Sequence, residues 1–394
     1  MIPQYGLGYL VGKTLGFPEK KRLRIAYRFC MYFFNPLIIA VICVLYFNFL
    51  GKLGFELPEK LFSTYTMLFG TLLLPYSKWL WSEPLSALLI LSSFYCLYCS
   101  IEGEFRKYNF LNFLFLGLLC LNGPVFNILF LTMFLFVFYY FYFLDKNFQN
   151  NKILFIDASI IFCICSSLVL YYNYSRYGDI FNMGFSSIRL EDHDNSRYAG
   201  TFNRPVLEGL YSLFFSIGKG IMIYSPITFL LPFVFIFFYH QIKARISYCL
   251  CTLMVSYILL LILYSKWGIG VWAWGTRYML PFFPALHLLF PFLLINAKKA
   301  NPLTKSFLLI VVFWAIGINA FEFIGAWPHF QYDTFFKTET PYSFGMYLPW
   351  LSPLFNNWSN WWPNGLIRLI QFVSVAWTTF YIVVIWYQKK FPTA

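Results

Sequence analysis

Apolar stretches of about 20 residues recur along almost the whole chain, and few folds can accommodate such a pattern. A bilayer's hydrocarbon core is ~30 Å thick and a helix rises ~1.5 Å per residue, so runs of this length reach from one side to the other. Within lipid every backbone N–H and C=O needs an internal partner, which a helix supplies and an open strand does not. The runs lie near 29–50, 62–78, 84–101, 108–123, 124–144, 153–172, 221–240, 247–265, 279–296, 306–325 and 367–387. The expected fold is all-α and integral to the membrane. It is a polytopic helix bundle of about eleven spans, a single transmembrane domain over residues 1–394 with short helices in its outer-face loops. The runs at 62–78 and 108–123 are short, which leaves tilted, re-entrant and half-span arrangements open.

Composition closes off the soluble alternatives. Only 11% of the 394 residues are charged and 60% are hydrophobic, against about 25% charged in a soluble domain. The net charge of +13 would suggest nucleic acid in a soluble protein. In a membrane protein the same excess belongs to cytoplasmic loops and anionic headgroups, so no nucleic-acid partner is expected. The 9 cysteines all fall within the apolar runs, which argues against a disulfide framework. Cys96 and Cys99 form a C-x-x-C with no second ligand pair, and the 4 histidines have no zinc spacing.

Lys and Arg in short loops set orientation. With the C-terminus cytoplasmic, Lys243, Arg245, Lys298, Lys299, Lys305, Lys389 and Lys390 share one side. The loops 173–220, 266–278 and 326–366 then lie on the other face. The same count puts the basic segment holding Lys20, Lys21, Arg22, Arg24 and Arg28 outside, against the rule. Either one run does not cross, or a helix and its loop precede Met1.

Three loop segments carry candidate chemistry. Ser265–Pro281, SKWGIGVWAWGTRYMLP, sets Arg277 directly against an apolar run, where a cation needs an anionic partner; a lipid phosphate is the natural one. Trp272, Trp274 and Tyr278 beside it read either as substrate-pocket residues or as an aromatic belt. Ser216–Pro226, SIGKGIMIYSP, places Lys219 between Gly218 and Gly220 ahead of a span, with Tyr224 as a further pocket candidate. Glycines there would let backbone amides approach an anion; a membrane-embedding turn with a snorkelling lysine is the competing reading. In Pro75–Pro84, PYSKWLWSEP, Glu83 precedes the proline that opens a helix. It reads as a dipole-stabilised carboxylate or as a general base. Glu191, Asp192 and Asp194 in EDHDN are hard oxygen donors that suit a divalent cation, or a solvated loop. Glu322 lies near the outer end of its run and could join the same site.

Taken in order, these segments resemble a known group. PYSKWLWSEPLSALLILSSFY resembles the segment T-x-L-W-P-Y-S…S-E-P of bacterial polytopic membrane glycosyltransferases. YSRYGDIFNMGF with LEGLYSLFFSIGKGIMIYSP is similar to that group's R-Y-G…G-Y and G-L…S-P-G-K-G-L-x-x-Y-S-P segments. SKWGIGVWAWGTRYMLPFFPAL resembles its W-x-W-G-x-R-Y-L-L-P-x-L-P segment. The group is the GT-C superfamily, which includes protein O-mannosyltransferases and lipid A glycosyltransferases. The resemblance implies sugar transfer from a polyprenyl-phosphate donor to a lipid or glycan acceptor, at a site facing outward from a bacterial inner membrane. It implies a catalytic carboxylate in a first outer loop, which would lie upstream of Met1, and a second acidic position falling on Glu83. It assigns the donor phosphate to Lys219 and Arg277, with Arg204 as a further cation. A lipid-linked sugar flippase and a non-catalytic lipid-binding remnant are the alternatives.

Overall fold

The computed structural model describes residues 9–10, 13–77, 81–102, 105–144, 148–180, 205–242, 244–267 and 275–324. Those residues form helices and no β-strand. The expected span at 367–387 and the loop 326–366 lie outside them.

The chain order is α1 (Glu19–Lys52), α2 (Leu57–Phe69), α3 (Leu73–Ser77), α4 (Glu83–Glu102), α5 (Phe105–Asn122) and α6 (Asn127–Tyr139). There follow α7 (Phe148–Tyr177), α8 (Val206–Phe214), α9 (Ile221–Tyr224), α10 (Pro226–Phe238) and α11 (Ala244–Trp267). A mixed segment contains a 3-10 turn (Arg277–Phe282), α12 (Phe283–Leu286), a second 3-10 turn (His287–Leu289) and α13 (Phe290–Lys299), and α14 (Pro302–Ile324) comes last. Six stretches among the described residues are long and apolar enough to cross a membrane: Phe34–Lys52, Glu83–Glu102, Phe155–Tyr177, Ser247–Ser265, Arg277–Lys299 and Pro302–Phe323.

Packing separates central from peripheral spans. The Glu83–Glu102 and Arg277–Lys299 segments are mostly buried within the protein, whereas most of Phe155–Tyr177 is not. α7 presents Phe155, Ile160, Ile164 and Leu168, and α14 presents Leu303, Phe307, Ile310 and Phe313, as exposed apolar surface. In water such faces would drive aggregation; in a bilayer they are the lipid contact.

Lipid gives two apolar helices little reason to associate, so small and polar side chains do the joining. On α4 the buried serines Ser86, Ser93 and Ser100 recur every seven residues along the α5 face. Asn122 Nδ2 donates to Ser86 Oγ at 2.6 Å, and Ser93 Oγ donates to Asn112 Oδ1. Thr132 and Ser256 hydroxyls meet at 2.6 Å between α6 and α11. Ser93→Ala is expected to cost about 1–2 kcal/mol, because Asn112 would lose its partner inside the hairpin. Thermal unfolding in detergent measures this, and an unchanged midpoint would remove the hydrogen bond from the account.

Two of the apolar runs, the short one at 62–78 and the one at 221–240, are interrupted. The run at 62–78 divides into α2 and α3, broken over Gly70–Leu72. The run at 221–240 divides at Ser225 (φ −151°, ψ 60°) into α9 and α10. Breaking a helix frees carbonyls, and α14 satisfies them: Trp314 Nε1 donates to Ile223 O at 3.0 Å and Asn319 Nδ2 to Tyr224 O at 3.0 Å. The segment after Arg277 alternates between 3-10 and α geometry because Pro281, Pro284 and Pro291 lack the N–H that an α-helix needs. Pro291 cannot donate to His287 O; the Tyr46 hydroxyl does so instead, at 2.6 Å.

Hydrogen bonds fix the two ends of the bundle. Asn35 Nδ2 of α1 donates to Trp81 O at 3.0 Å, beside the start of α4. At the opposite end Lys298 pairs with buried Glu59 at 2.6 Å. α1 has 34 residues and is about 51 Å long, so its basic first half extends past Asn35 at the Glu83 end. The tension with the charge rule therefore persists in the fold.

Candidate functional site

The site is built where the chain is interrupted. Residues 70–72, 224–225 and 275–277 converge at the Glu83 end. Gly275 has φ +61°, and a Cβ placed there would sit 2.8 Å from Leu72 Cδ2 and 3.1 Å from Tyr224 Cβ. Only glycine allows both the left-handed backbone and the close approach. Thr276 Oγ1 then donates to Lys219 O at 2.5 Å and to Leu213 O at 3.2 Å. The Lys219 turn and the Arg277 segment are thus joined through one hydroxyl.

Arg277 points at the first turn of α4. Its Nε lies 3.1 Å from Glu83 Oε1, with only 17% and 10% of the two side chains exposed. The guanidinium lies over the Trp81 ring at 4.1 Å and the Tyr278 ring at 4.7 Å, and Nη2 donates to the Tyr278 hydroxyl at 3.0 Å. Tyr278 stacks on Tyr264, with centroids 5.2 Å apart. Asn35 holds the strap before Glu83 through Trp81 O and, at 3.4 Å, Tyr76 O. Buried Tyr76 lies within electrostatic reach of Arg277, Glu83 and Glu322. A cation, two carboxylates and four aromatic side chains therefore gather at one end of the bundle. Glu83 Oε2 is buried and accepts no hydrogen bond among the described residues.

The expected site residues are distributed unevenly around this cluster. Glu83, Arg277 and Tyr278 form its centre, and Lys219 is buried in the adjoining turn. Glu83 and Arg277, read separately as base and phosphate clamp, form an ion pair with each other. Tyr224 is fully buried and its hydroxyl donates to Ile217 O at 2.9 Å, so it braces the Lys219 turn. The amides around Lys219 are not offered to an anion: Gly218 N–H donates to Ser216 Oγ at 3.1 Å and Gly220 N–H to Ser216 O at 2.7 Å. The helix that follows has only 4 residues, too few for a strong N-terminal field. The two flanking glycine amides are therefore committed within the turn. Arg204, Trp272, Trp274, Glu191, Asp192 and Asp194 lie outside the described residues. Among the described residues no three His, Cys, Asp or Glu side chains gather as a metal site.

Sequence reasoning passed over Trp81, Asn35, Tyr76 and Tyr264. Trp81 was visible two residues before Glu83, but a tryptophan at a membrane boundary is commonplace. Asn35 carried a usable signal, as an amide next to a proline within an apolar run.

Gly275→Ala is expected to lose about 2–4 kcal/mol, from left-handed strain plus overpacking against Leu72 and Tyr224. The displaced Arg277 should lose its contact with Trp81, read as altered tryptophan emission. Unchanged stability and emission would contradict this tight packing.

No protein family, curated protein or solved structure matches the chain.

Proposed function

We propose that the chain is a membrane glycosyltransferase that moves a sugar from a polyprenyl-phosphate donor to an acceptor hydroxyl on a lipid or glycan. The observation that carries this reading is the Glu83–Arg277 pair, 3.1 Å apart beneath Trp81 and Tyr278 at one end of the bundle. In this reading the chain crosses about eleven times. The Glu83 end faces outward from a bacterial inner membrane, and Lys298, Lys299 and Lys305 face the cytoplasm.

The chemistry follows from the pair. A guanidinium has five N–H donors, and Glu83 and the Tyr278 hydroxyl engage only part of the set. A donor phosphate can take the remainder, with the Lys219 side chain as a second cation. A phosphate drawing on Arg277 weakens its hold on Glu83. The carboxylate then becomes a better proton acceptor, since an ion-paired carboxylate favours its charged form. Glu83 Oε2 takes the proton of the acceptor hydroxyl, whose oxygen attacks the anomeric carbon. The bond from that carbon to the phosphate oxygen breaks, and Arg277 and Lys219 stabilise the phosphate as it leaves. The aromatic walls suit the faces of a sugar ring.

Membranes containing the full chain, supplied with radiolabelled polyprenyl-phosphate sugar, test the proposal. Transfer should fall by about 10²-fold or more in Glu83→Gln, which keeps the shape and removes the base. Full transfer by Glu83→Gln would overturn the assignment.

A flippase for the same lipid is the second reading, favoured by the interrupted helices α2–α3 and α9–α10, because broken spans often line transport paths. Reconstituted vesicles that move the headgroup across the bilayer without any transfer would decide for it.

A further inference from the structure

A second cluster lies at the opposite end of the bundle, where α1 finishes and α2 and α5 begin. Lys52 Nζ lies over the Tyr95 ring at 5.3 Å and the Tyr108 ring at 5.9 Å, and donates to Cys99 Sγ at 3.3 Å. Lys107 Nζ lies 5.3 Å from the same Tyr108 ring. Both ammonium groups therefore flank one aromatic side chain. Lys60 extends back toward the end of α1: its Nζ is 4.6 Å from the Phe47 ring and 3.6 Å from the position a Cβ on Gly51 would take. The Tyr95 ring is itself fixed by an edge-on contact with Phe49 at 5.3 Å.

Charge balance sets this cluster apart. None of Lys52, Lys60 and Lys107 pairs with a carboxylate among the described residues, and the nearby buried Glu59 is taken by Lys298. The Cys99 thiol and the tyrosine rings orient the ammonium groups without neutralising them. Lys52 and Lys107, both beside the Tyr108 ring, are cations of like sign, and an anion bound between them relieves their repulsion. Depth indicates the kind of anion. Lys52 closes the crossing segment Phe34–Lys52, while Lys60 and Lys107 stand in the first turns of α2 and α5. All three therefore lie at headgroup level, where phosphodiesters are the abundant anions.

We infer that Lys52 and Lys107 form a binding site for the phosphodiester headgroup of an anionic glycerophospholipid in the leaflet at that end, with Lys60 as a neighbouring cation. The tyrosine rings align the lysines, and the acyl chains lie along the neighbouring apolar surface. This site is independent of the transfer reading, since it lies at the other end of the membrane span from Glu83 and Arg277.

Native mass spectrometry of the purified full chain tests it, with phosphatidylglycerol and phosphatidylcholine titrated in competition. The wild type should retain phosphatidylglycerol preferentially, by about 5-fold for each lysine engaged. Lys52→Gln/Lys107→Gln should abolish the preference, while Lys52→Arg/Lys107→Arg, which keeps the charge, should preserve it. Lys13→Gln/Lys20→Gln, at the far end, should leave it unchanged. Equal retention of both lipids by the wild type, or a preference surviving in the glutamine variant, overturns the site. Displacement of the lipid by millimolar inorganic phosphate would assign the cluster to a soluble anion and overturn the lipid.

Discussion

Removing Arg277 alone is expected to destabilise the chain more than removing Arg277 and Glu83 together. Arg277→Ala leaves the Glu83 carboxylate largely buried at the head of α4 with its nearest cation gone. Stranding one member of a buried pair costs about 3–5 kcal/mol. The partial exposure of this pair points to the lower end, about 3 kcal/mol. The double variant Glu83→Ala/Arg277→Ala removes both charges and should recover about half of that loss. Thermal unfolding of the four proteins in one detergent gives the double-mutant cycle. Strictly additive losses would mean that the two side chains do not interact in the folded state. The same pair bears on activity: if donor phosphate competes with Glu83 for Arg277, added donor lipid should raise the midpoint of the wild type and leave that of Arg277→Ala unchanged.

Gly209→Ala should be strongly damaging, with the shortest Cβ clash among the described glycines. A Cβ at that position would sit 1.8 Å from Ser265 O and 2.4 Å from Ser265 C, on the backbone of α11. No rotamer relieves a clash with backbone, so α8 has to withdraw from α11. Overpacking of this kind costs about 3 kcal/mol or more. The damage should spread, because α8 leads into the turn that holds Lys219, and Leu213 O at its end accepts from Thr276. Gly317→Ala on α14 is the matched control: nothing lies within 4 Å of its added Cβ, so about 0.5–1 kcal/mol of stabilisation is expected from helix propensity. Unfolding midpoints of the two variants in one detergent provide the comparison. Gly209→Ala melting with the wild type would show that α8 does not dock on Ser265.

The two predictions test different layers of information. Glu83 and Arg277 were each legible in the sequence, because a charge beside an apolar run is costly and therefore conspicuous. Their mutual pairing was not legible, since nothing local to either residue specifies a partner so far along the chain. Gly209 gave no signal at all: a glycine on an amphipathic helix reads as neutral until the facing backbone is known. The glycines around Lys219 misled for a related reason. Their amides are consumed by Ser216 within the turn, a commitment that depends on backbone geometry rather than residue type.

The helical, membrane-crossing class of this chain follows from sequence alone, because run length set against hydrocarbon thickness and the need to satisfy every backbone group leave a single outcome. The irregular helix after Arg277 reads in sequence only as an ordinary span at 279–296, although its cause is local, since the missing N–H of Pro281, Pro284 and Pro291 is a property of the residue itself. Where the other spans break was decided by tertiary structure. A helix can open at Ser225 only because Trp314 and Asn319 approach from a distant helix to take the released carbonyls. The meeting of Glu83 with Arg277 likewise depends on which helices pack side by side, and lipid-facing apolar sequence, equally content against any neighbour, leaves that choice to a few buried polar contacts and close-packed glycines.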